Sequence, residues 1–525
     1  MMCRSGIVLL LLMTIPPVSL GLASKDVWVE VNSPNFTVIT NGSARNAGRT
    51  ARTFEQFRLL IKTSIPTISV DPGMPLTIIT ARNEKSYLSL LGEDRQKSYL
   101  KRTTGIFTGS NERKVVVIRD DISEVQRYRT SYHEYVHMLM RSNLGRLPLW
   151  LDEGLAEFFS FAVLSDRNAI LGYASPEAIR LLRDRPLLPL TTLFAVTHDS
   201  PHYREKDKSA IFYAQSWALT HYLLVGEKRA HEKKLYLFIG LIRKGLGVME
   251  AASQAFGDLN KLETALGNYV HSASFYSYHF PVQLRIEKDQ YRERTLSRAE
   301  SLAMRGELLV FMNKNDLARE ALDLALQDDP RSVRANEAMG YLHLSLQDSV
   351  RAKKYFTAAV ENGSTNSLAY FYAARTIIMQ PEPVDVAAAE NHLRKAIELN
   401  PNFAYAYGAL ATLLHRQKKY DESLKIAGRA MSLAPGELGF MLNAANTLAT
   451  MGDFDRAYAM GLQTKALAQT EAERRNVELF LNIFRTVKES RAAAEQARDA
   501  ERRRIGEAAK AAEEEYRRYL EDEGK

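Results

Sequence analysis

The strongest constraint on this chain is a period. Gly306 and Gly340 lie 34 residues apart, as do Ala318 and Ala352, Ala325 and Ala359, and Pro401 and Pro435. Pro330 and Pro401 are separated by 71, two periods plus three residues, and Pro381-Glu382-Pro383 offers a loop to absorb the excess. A unit of this length is a pair of helices joined by a turn. Small residues at fixed places let the paired helices approach, and proline closes the unit. No such unit buries its apolar face alone, so neighbours must stack. About five units fit between residues 297 and 470.

Ahead of the repeats the pattern is mixed. Val27–Val31, Phe36–Thr40, Leu76–Thr80 and Lys114–Arg119 are β-rich runs between turn residues, and residues 44–63 carry helical spacing. A helix is expected from near Ile122 to about Arg141, capped by Asp120 or Asp121. The strand Lys114–Arg119 shortly precedes it and is a place where a substrate backbone would pair edge-on.

That helix carries His133-Glu134-Tyr135-Val136-His137. Residues four apart share a helix face, so the two imidazoles can serve one metal ion with the Glu134 carboxylate beside them. The motif is short enough to recur by chance, and its weight comes from the next helix along the chain. Leu149–Phe159 reads as that second helix, in which Glu153 and Glu157 share a face, while Trp150, Leu151, Leu155, Phe158 and Phe159 make it pack inward. A catalytic zinc takes three protein ligands and keeps one position open. Glu153 is the expected third ligand. Glu157, one turn on, is expected to accept the other ring N–H of a ligand histidine.

His-Glu-x-x-His followed by Trp150-Leu151-Asp152-Glu153-Gly154-Leu155-Ala156-Glu157 resembles the gluzincin metallopeptidases, above all the peptidase-MA-like domains of exported bacterial proteins. The 34-residue unit resembles the tetratricopeptide repeat. The first resemblance implies that His133, His137 and Glu153 hold Zn²⁺ and that Glu134 is the general base. It also implies a tyrosine about sixty residues past the glutamate to stabilise the oxyanion. Tyr213 holds that place on a helix expected over Tyr213–Leu224, with His221 as the fallback. The related aminopeptidases anchor a free amine with a Gly-Ala-Met-Glu-Asn segment. The matching Gly105–Gly109 contains no acid, which points to an endopeptidase.

Bulk properties set outer limits. A chain of 525 residues exceeds one ordinary core, and 46% hydrophobic with 25% charged residues describes a globular protein. The net charge of +8 comes without a basic cluster interleaved with aromatics, so nucleic acid is not an expected partner. Arg4, the apolar run Gly6–Thr14 and the small residues around Gly21-Leu22-Ala23 read as a signal peptide over residues 1–23. The one cysteine, Cys3, lies inside it, which removes disulfides, thiolate ligands and cysteine nucleophiles from the mature chain. Residues 475–525 read as a charged helical tail, with Asp499–Arg503, Glu513–Arg517 and Glu514–Arg518 as i,i+4 pairs.

The sequence therefore leads us to expect an α+β metallopeptidase domain over 24–290, an all-α tetratricopeptide superhelix over 297–470, and the tail. The expected protein is an exported zinc endopeptidase, periplasmic or secreted, with one Zn²⁺ per chain and no transmembrane segment once mature. It acts on a peptide or protein substrate, and its repeats recruit that substrate or a protein partner. The alternative is a non-catalytic scaffold whose repeat groove binds partner proteins. With separate domains, deleting 297–525 should spare cleavage of small peptides.

Overall fold

The β-branched runs form strands and the 3.6-residue periods form helices, giving a mostly helical chain with an N-terminal α/β region. The computed structural model describes residues 26–71, 73, 75–92, 105–110, 112–165, 168–281, 290–380, 384–468 and 470–523. The signal segment with Cys3 and the Pro381–Pro383 loop lie outside these residues. In chain order come β1 (Val29–Asn32), β2 (Thr37–Thr40), α1 (Ala44–Ser64), β3 (Leu76–Ala81), α2 (Glu84–Leu90), β4 (Gly105–Gly109), β5 (Lys114–Arg119) and α3 (Glu124–Leu144). Next are α4 (Leu149–Ser160), β6 (Val163–Leu164), β7 (Asn168–Leu171), α5 (Pro176–Asp184), α6 (Leu190–Ala195), α7 (Pro201–Arg204) and α8 (Lys206–Val225). Then follow α9 (Glu232–Arg243), α10 (Val248–Phe256), α11 (Leu259–Val270), β8 (Tyr278–Pro281) and β9 (Arg292–Thr295). The repeats are α12 (Arg298–Phe311), α13 (Asn315–Asp328), α14 (Val333–Ser345), α15 (Ser349–Glu361) and α16 (Ser367–Ile378). They continue as α17 (Val386–Leu399), α18 (Ala404–Arg416), α19 (Tyr420–Leu433), α20 (Leu438–Thr450) and α21 (Phe454–Leu467), and α22 (Glu471–Glu523) ends the chain.

These elements gather into two compact units that do not follow the order of the sequence. The first comprises Met1–Phe57, Pro75–Ser131 and Leu284–Asp385, the second Arg58–Met74, Tyr132–Gln283 and Val386–Lys525.

In the first unit a six-stranded sheet runs in the order β4-β5-β3-β2-β1-β9. Strands β2, β3 and β5 are parallel, with Val38 opposite Ile78 and Ile78 opposite Val116, while the outer strands are antiparallel. Two expectations are corrected here. Strand β5 lies between β3 and β4, so both its edges are taken and it cannot receive a substrate strand. Asp120 and Asp121 do not cap α3: Asp120 pairs with Arg127 at 2.8 Å, and Asp121 accepts from the Glu84 amide at 3.2 Å.

The boundary drawn at 290–297 is also crossed. Strand β9 pairs with β1, and Leu296, Met304 and Leu308 share one core with Trp28, Ile39, Ile79 and Val117. The first helix of the repeats thus completes the hydrophobic core of the sheet. A Ser297–Glu300 capping box starts that helix. Helices α12, α14 and α16 are buried around most of their circumference, whereas α13 and α15 are buried along one stripe only. These three first helices also meet the sheet or its β4–β5 turn: Arg113 pairs with Glu307, Arg334 with Glu30 at 3.2 Å, and Tyr372 donates to Glu112 at 2.9 Å.

In the second unit α8 is the central helix, with Phe212, Trp217, Leu219 and Leu223 fully buried. Helix α4 lies on it so closely that a Cβ on Gly154 would stand 2.2 Å from Thr220 Oγ1 and 2.5 Å from the Ser216 carbonyl. Strands β6, β7 and β8 form a small antiparallel sheet. Helix α22 is one continuous element of 53 residues. Its first turns bury Val477, Leu481 and Phe484, and from about residue 488 to residue 519 it is exposed.

Candidate metal centre

Helix α3 presents His133 and His137 one above the other, because a step of four residues returns to the same face. Helix α4 comes after a short turn and presents Glu153 to them. The three donor atoms converge: Nε2 to Nε2 is 3.1 Å, His133 Nε2 to Glu153 Oε2 is 3.3 Å, and His137 Nε2 to the same oxygen is 3.4 Å. Among the described residues this is the one group of three His, Cys, Asp or Glu side chains able to hold a metal ion.

The neighbours of this triad fix its tautomers. Glu157 Oε1 stands 3.3 Å from His133 Nδ1, and Asp152 Oδ2 stands 3.2 Å from His137 Nδ1. A carboxylate only accepts, so each Nδ1 carries the proton, and each neutral ring turns a lone pair inward from Nε2. Glu153 is 4% exposed, and its Oε2 has no hydrogen-bond donor. With both rings neutral, three lone pairs therefore face one another, that of Glu153 buried and those of the histidines largely so. That arrangement is repulsive unless a cation or protons lie among them.

The electrostatics around the triad reflect this. Burial opposes charge on His133, but the nearby carboxylates of Glu153 and Glu157 prevail and raise its pKa to about 9. Burial likewise opposes charge on His137, and Asp152 and Glu153 raise it to about 11. Burial pushes Glu153 upward, yet the two histidines hold it down at about 2. The triad is thus poised to take positive charge. Its spacing fits zinc: bonds of about 2.0–2.1 Å to a tetrahedral ion imply donor separations of about 3.4 Å.

Glu134 sits beside His133 on α3, half-buried, and makes no hydrogen bond or ion pair among the described residues. Tyr213 lies on α8 and makes no hydrogen bond to the triad among the described residues. Its ring lies 6.0 Å from that of Tyr203, whose hydroxyl donates to Glu153 Oε1 at 3.1 Å. Burial, then the Glu153 charge, push the Tyr203 phenol up to about 12 and drive Tyr213 well above its usual range. The fallback His221 is corrected to a core residue: it is fully buried, and its ring bonds the Tyr269 hydroxyl at 2.7 Å and the Gly172 carbonyl at 3.0 Å. Two residues that spacing did not single out as part of the site are Asp152 and Tyr203. Asp152 adjoins Glu153 in sequence, a signal open to reading. Tyr203 stands on a four-residue helix and has no periodic signal.

Parts of the chain match known families. Residues 392–425 match the family described as "Tetratricopeptide repeat", and residues 128–239 match one described as "Protein of unknown function (DUF1570)". The second span holds both histidines, Glu134, Glu153, Tyr203 and Tyr213. The C-terminal helical pairs are tetratricopeptide repeats, a type of array associated with protein partners. Over 190 residues the chain is 24% identical to "Anaphase-promoting complex subunit 3" of Schizosaccharomyces pombe, covering 36% of this chain. The chain spans only 28% of that relative's length. Among solved structures it is similar to "Crystal structure of YrrB: a TPR protein with an unusual peptide-binding site", with 20% identity, a TM-score of 0.30, and coverage of 34% of this chain and 90% of that one. It is also similar to TTC0263, a thermophilic tetratricopeptide protein of Thermus thermophilus, with 17% identity, a TM-score of 0.30, and coverage of 35% and 98%. Likeness at this level does not reach to function.

Proposed function

We propose that His133, His137 and Glu153 bind one zinc ion and that the chain is an exported, zinc-dependent peptidase of the endopeptidase kind. The observation that carries this reading is the convergence of three donor atoms at tetrahedral spacing, each histidine backed by its own carboxylate. Bound there, zinc supplies Lewis acidity to a water molecule and to a carbonyl oxygen. Glu134, without a partner among the described residues and adjacent to His133, takes the proton of the attacking water and passes it to the departing amine. Asp152 and Glu157 hold the two imidazoles in their tautomers. The phenol of Tyr203, with Tyr213 behind it, holds Glu153 so that Oε2 faces the histidines.

The experiment is a comparison of Glu134→Gln with the wild type on a denatured protein substrate. The variant should keep its zinc and lose hydrolysis by at least a hundredfold. Undiminished turnover would refute the role of Glu134.

A second reading is supported by the comparisons, which reach the repeats rather than the chemistry of the triad. In it the chain is an extracytoplasmic scaffold and the repeats are the working part. The inner helices α12, α14 and α16 already hold the sheet, so a partner would dock on α18 and α20. Pull-down of the same partner by wild type and by Glu134→Gln, with no hydrolysis by either, would favour this reading.

A further inference from the structure

A cavity of about 300 Å³ lies in the first unit, where α2 and the approach to β1 meet the β9–α12 corner. Trp28, Leu90 and Leu302 form apolar walls, and Ser86, Ser89 and Ser301 form polar ones. One lining residue does not fit a plain structural gap. Arg305 on α12 is only 9% exposed; its Nη2 donates to the Ser89 carbonyl at 2.8 Å, and its Nε has no partner. No ion pair of Arg305 exists among the described residues. The other charged groups at the cavity are already engaged: Asp26 is held by Arg82 at 2.7 Å, and Arg298 pairs with Asp328.

A buried cation without a counter-ion among the described residues is costly, and such a group lining a cleft is a candidate for ligand binding. Desolvation works against the Arg305 charge, with only Glu320 opposing it. The free Nε edge of a guanidinium suits a carboxylate, whose two oxygens match its geometry. Trp28 and Leu302 offer that acid a place for an apolar body. The volume is at the small end of ligand pockets, about 300–1,000 Å³.

We propose that this cavity binds a small organic carboxylate, its charge against Arg305 and its apolar part against Trp28 and Leu302. The site lies apart in sequence from the metal triad, and nothing in the proposal depends on zinc.

The test is a titration of the full-length protein with phenylacetate, indole-3-acetate and hexanoate, followed by melting temperature and calorimetry, with phenylacetamide and inorganic phosphate as controls. At least one acid should bind with submillimolar affinity, tenfold or more tighter than either control. Arg305→Met should lose that binding tenfold or more, while its melting temperature without acid is no lower than that of the wild type. Ser301→Phe, which fills the cavity and leaves the charge, should lose binding as well. The proposal is overturned if no acid outbinds phenylacetamide, if phosphate alone binds as tightly as the acids, or if either variant binds like the wild type. A fall in the melting temperature of Arg305→Met, with acid and amide equivalent, would make Arg305 purely structural.

Discussion

The chemistry at the triad depends on which of its atoms carry protons. With Nδ1 of each histidine committed to a carboxylate, metal entry must expel whatever protons the Nε2 atoms have taken. Both histidines are raised, to about 9 and about 11, so below about pH 9 up to two protons leave per metal bound. Zinc affinity should therefore rise with pH, by up to about a hundredfold per unit between pH 6 and 8, which chelator competition will measure. The metal-free chain should behave in the opposite sense. A raised histidine stabilises the fold fully below its unfolded value of about 6.5, and that contribution is lost as pH climbs through about 9. Melting temperature without metal should fall over that range. Removing the Tyr203 hydroxyl with Tyr203→Phe should weaken zinc about tenfold while leaving the metal-free melting temperature within a few degrees. Much of this site is legible in the sequence, because i,i+4 spacing aligns His133 with His137 and Glu153 with Glu157. Tyr203 is not, since its partner lies fifty residues away on another helix. His221 misleads because eight residues beyond Tyr213 is about 80° round the helix, on the face that α8 turns to its core.

Helix α8 shows how an element can hold the site without contributing a side chain to the triad. Glycine at 154 lets the backbone of α4 lie against Ser216 and Thr220, which sets the depth at which Glu153 meets the histidines. Gly154→Ala should cost about 1–3 kcal/mol of stability by denaturant unfolding, and zinc affinity should fall with it. The same close approach recurs in the repeats, where a Cβ on Gly340 would lie 2.6 Å from the Phe356 ring. Those glycines and alanines, spaced by 34, make the repeats readable from sequence. The sheet is readable strand by strand. Its order is not, because strands of four to six residues carry no record of which neighbour they pair with. The edge position expected of β5 belongs to β4 for that reason.

For the whole molecule, the repeats are not an appendage. Leu296, Met304 and Leu308 complete the core under the sheet, and in the second unit Arg146, just past the metal helix, donates to Gly436 at 2.8 Å and pairs with Glu473 at 2.6 Å. Deleting 297–525 should therefore yield aggregated protein with no activity on small peptides, contrary to what separable domains would give. Ending the chain at residue 495 removes only exposed turns of α22 and should shift the melting temperature by less than about 2 °C. The central claim concerns the triad, and one measurement meets it directly: zinc per chain in full-length protein purified without chelators or an affinity metal. Close to one equivalent, absent from His137→Ala, is the predicted result. A value near zero after dialysis against zinc would contradict the metal site and leave the repeats as the seat of function.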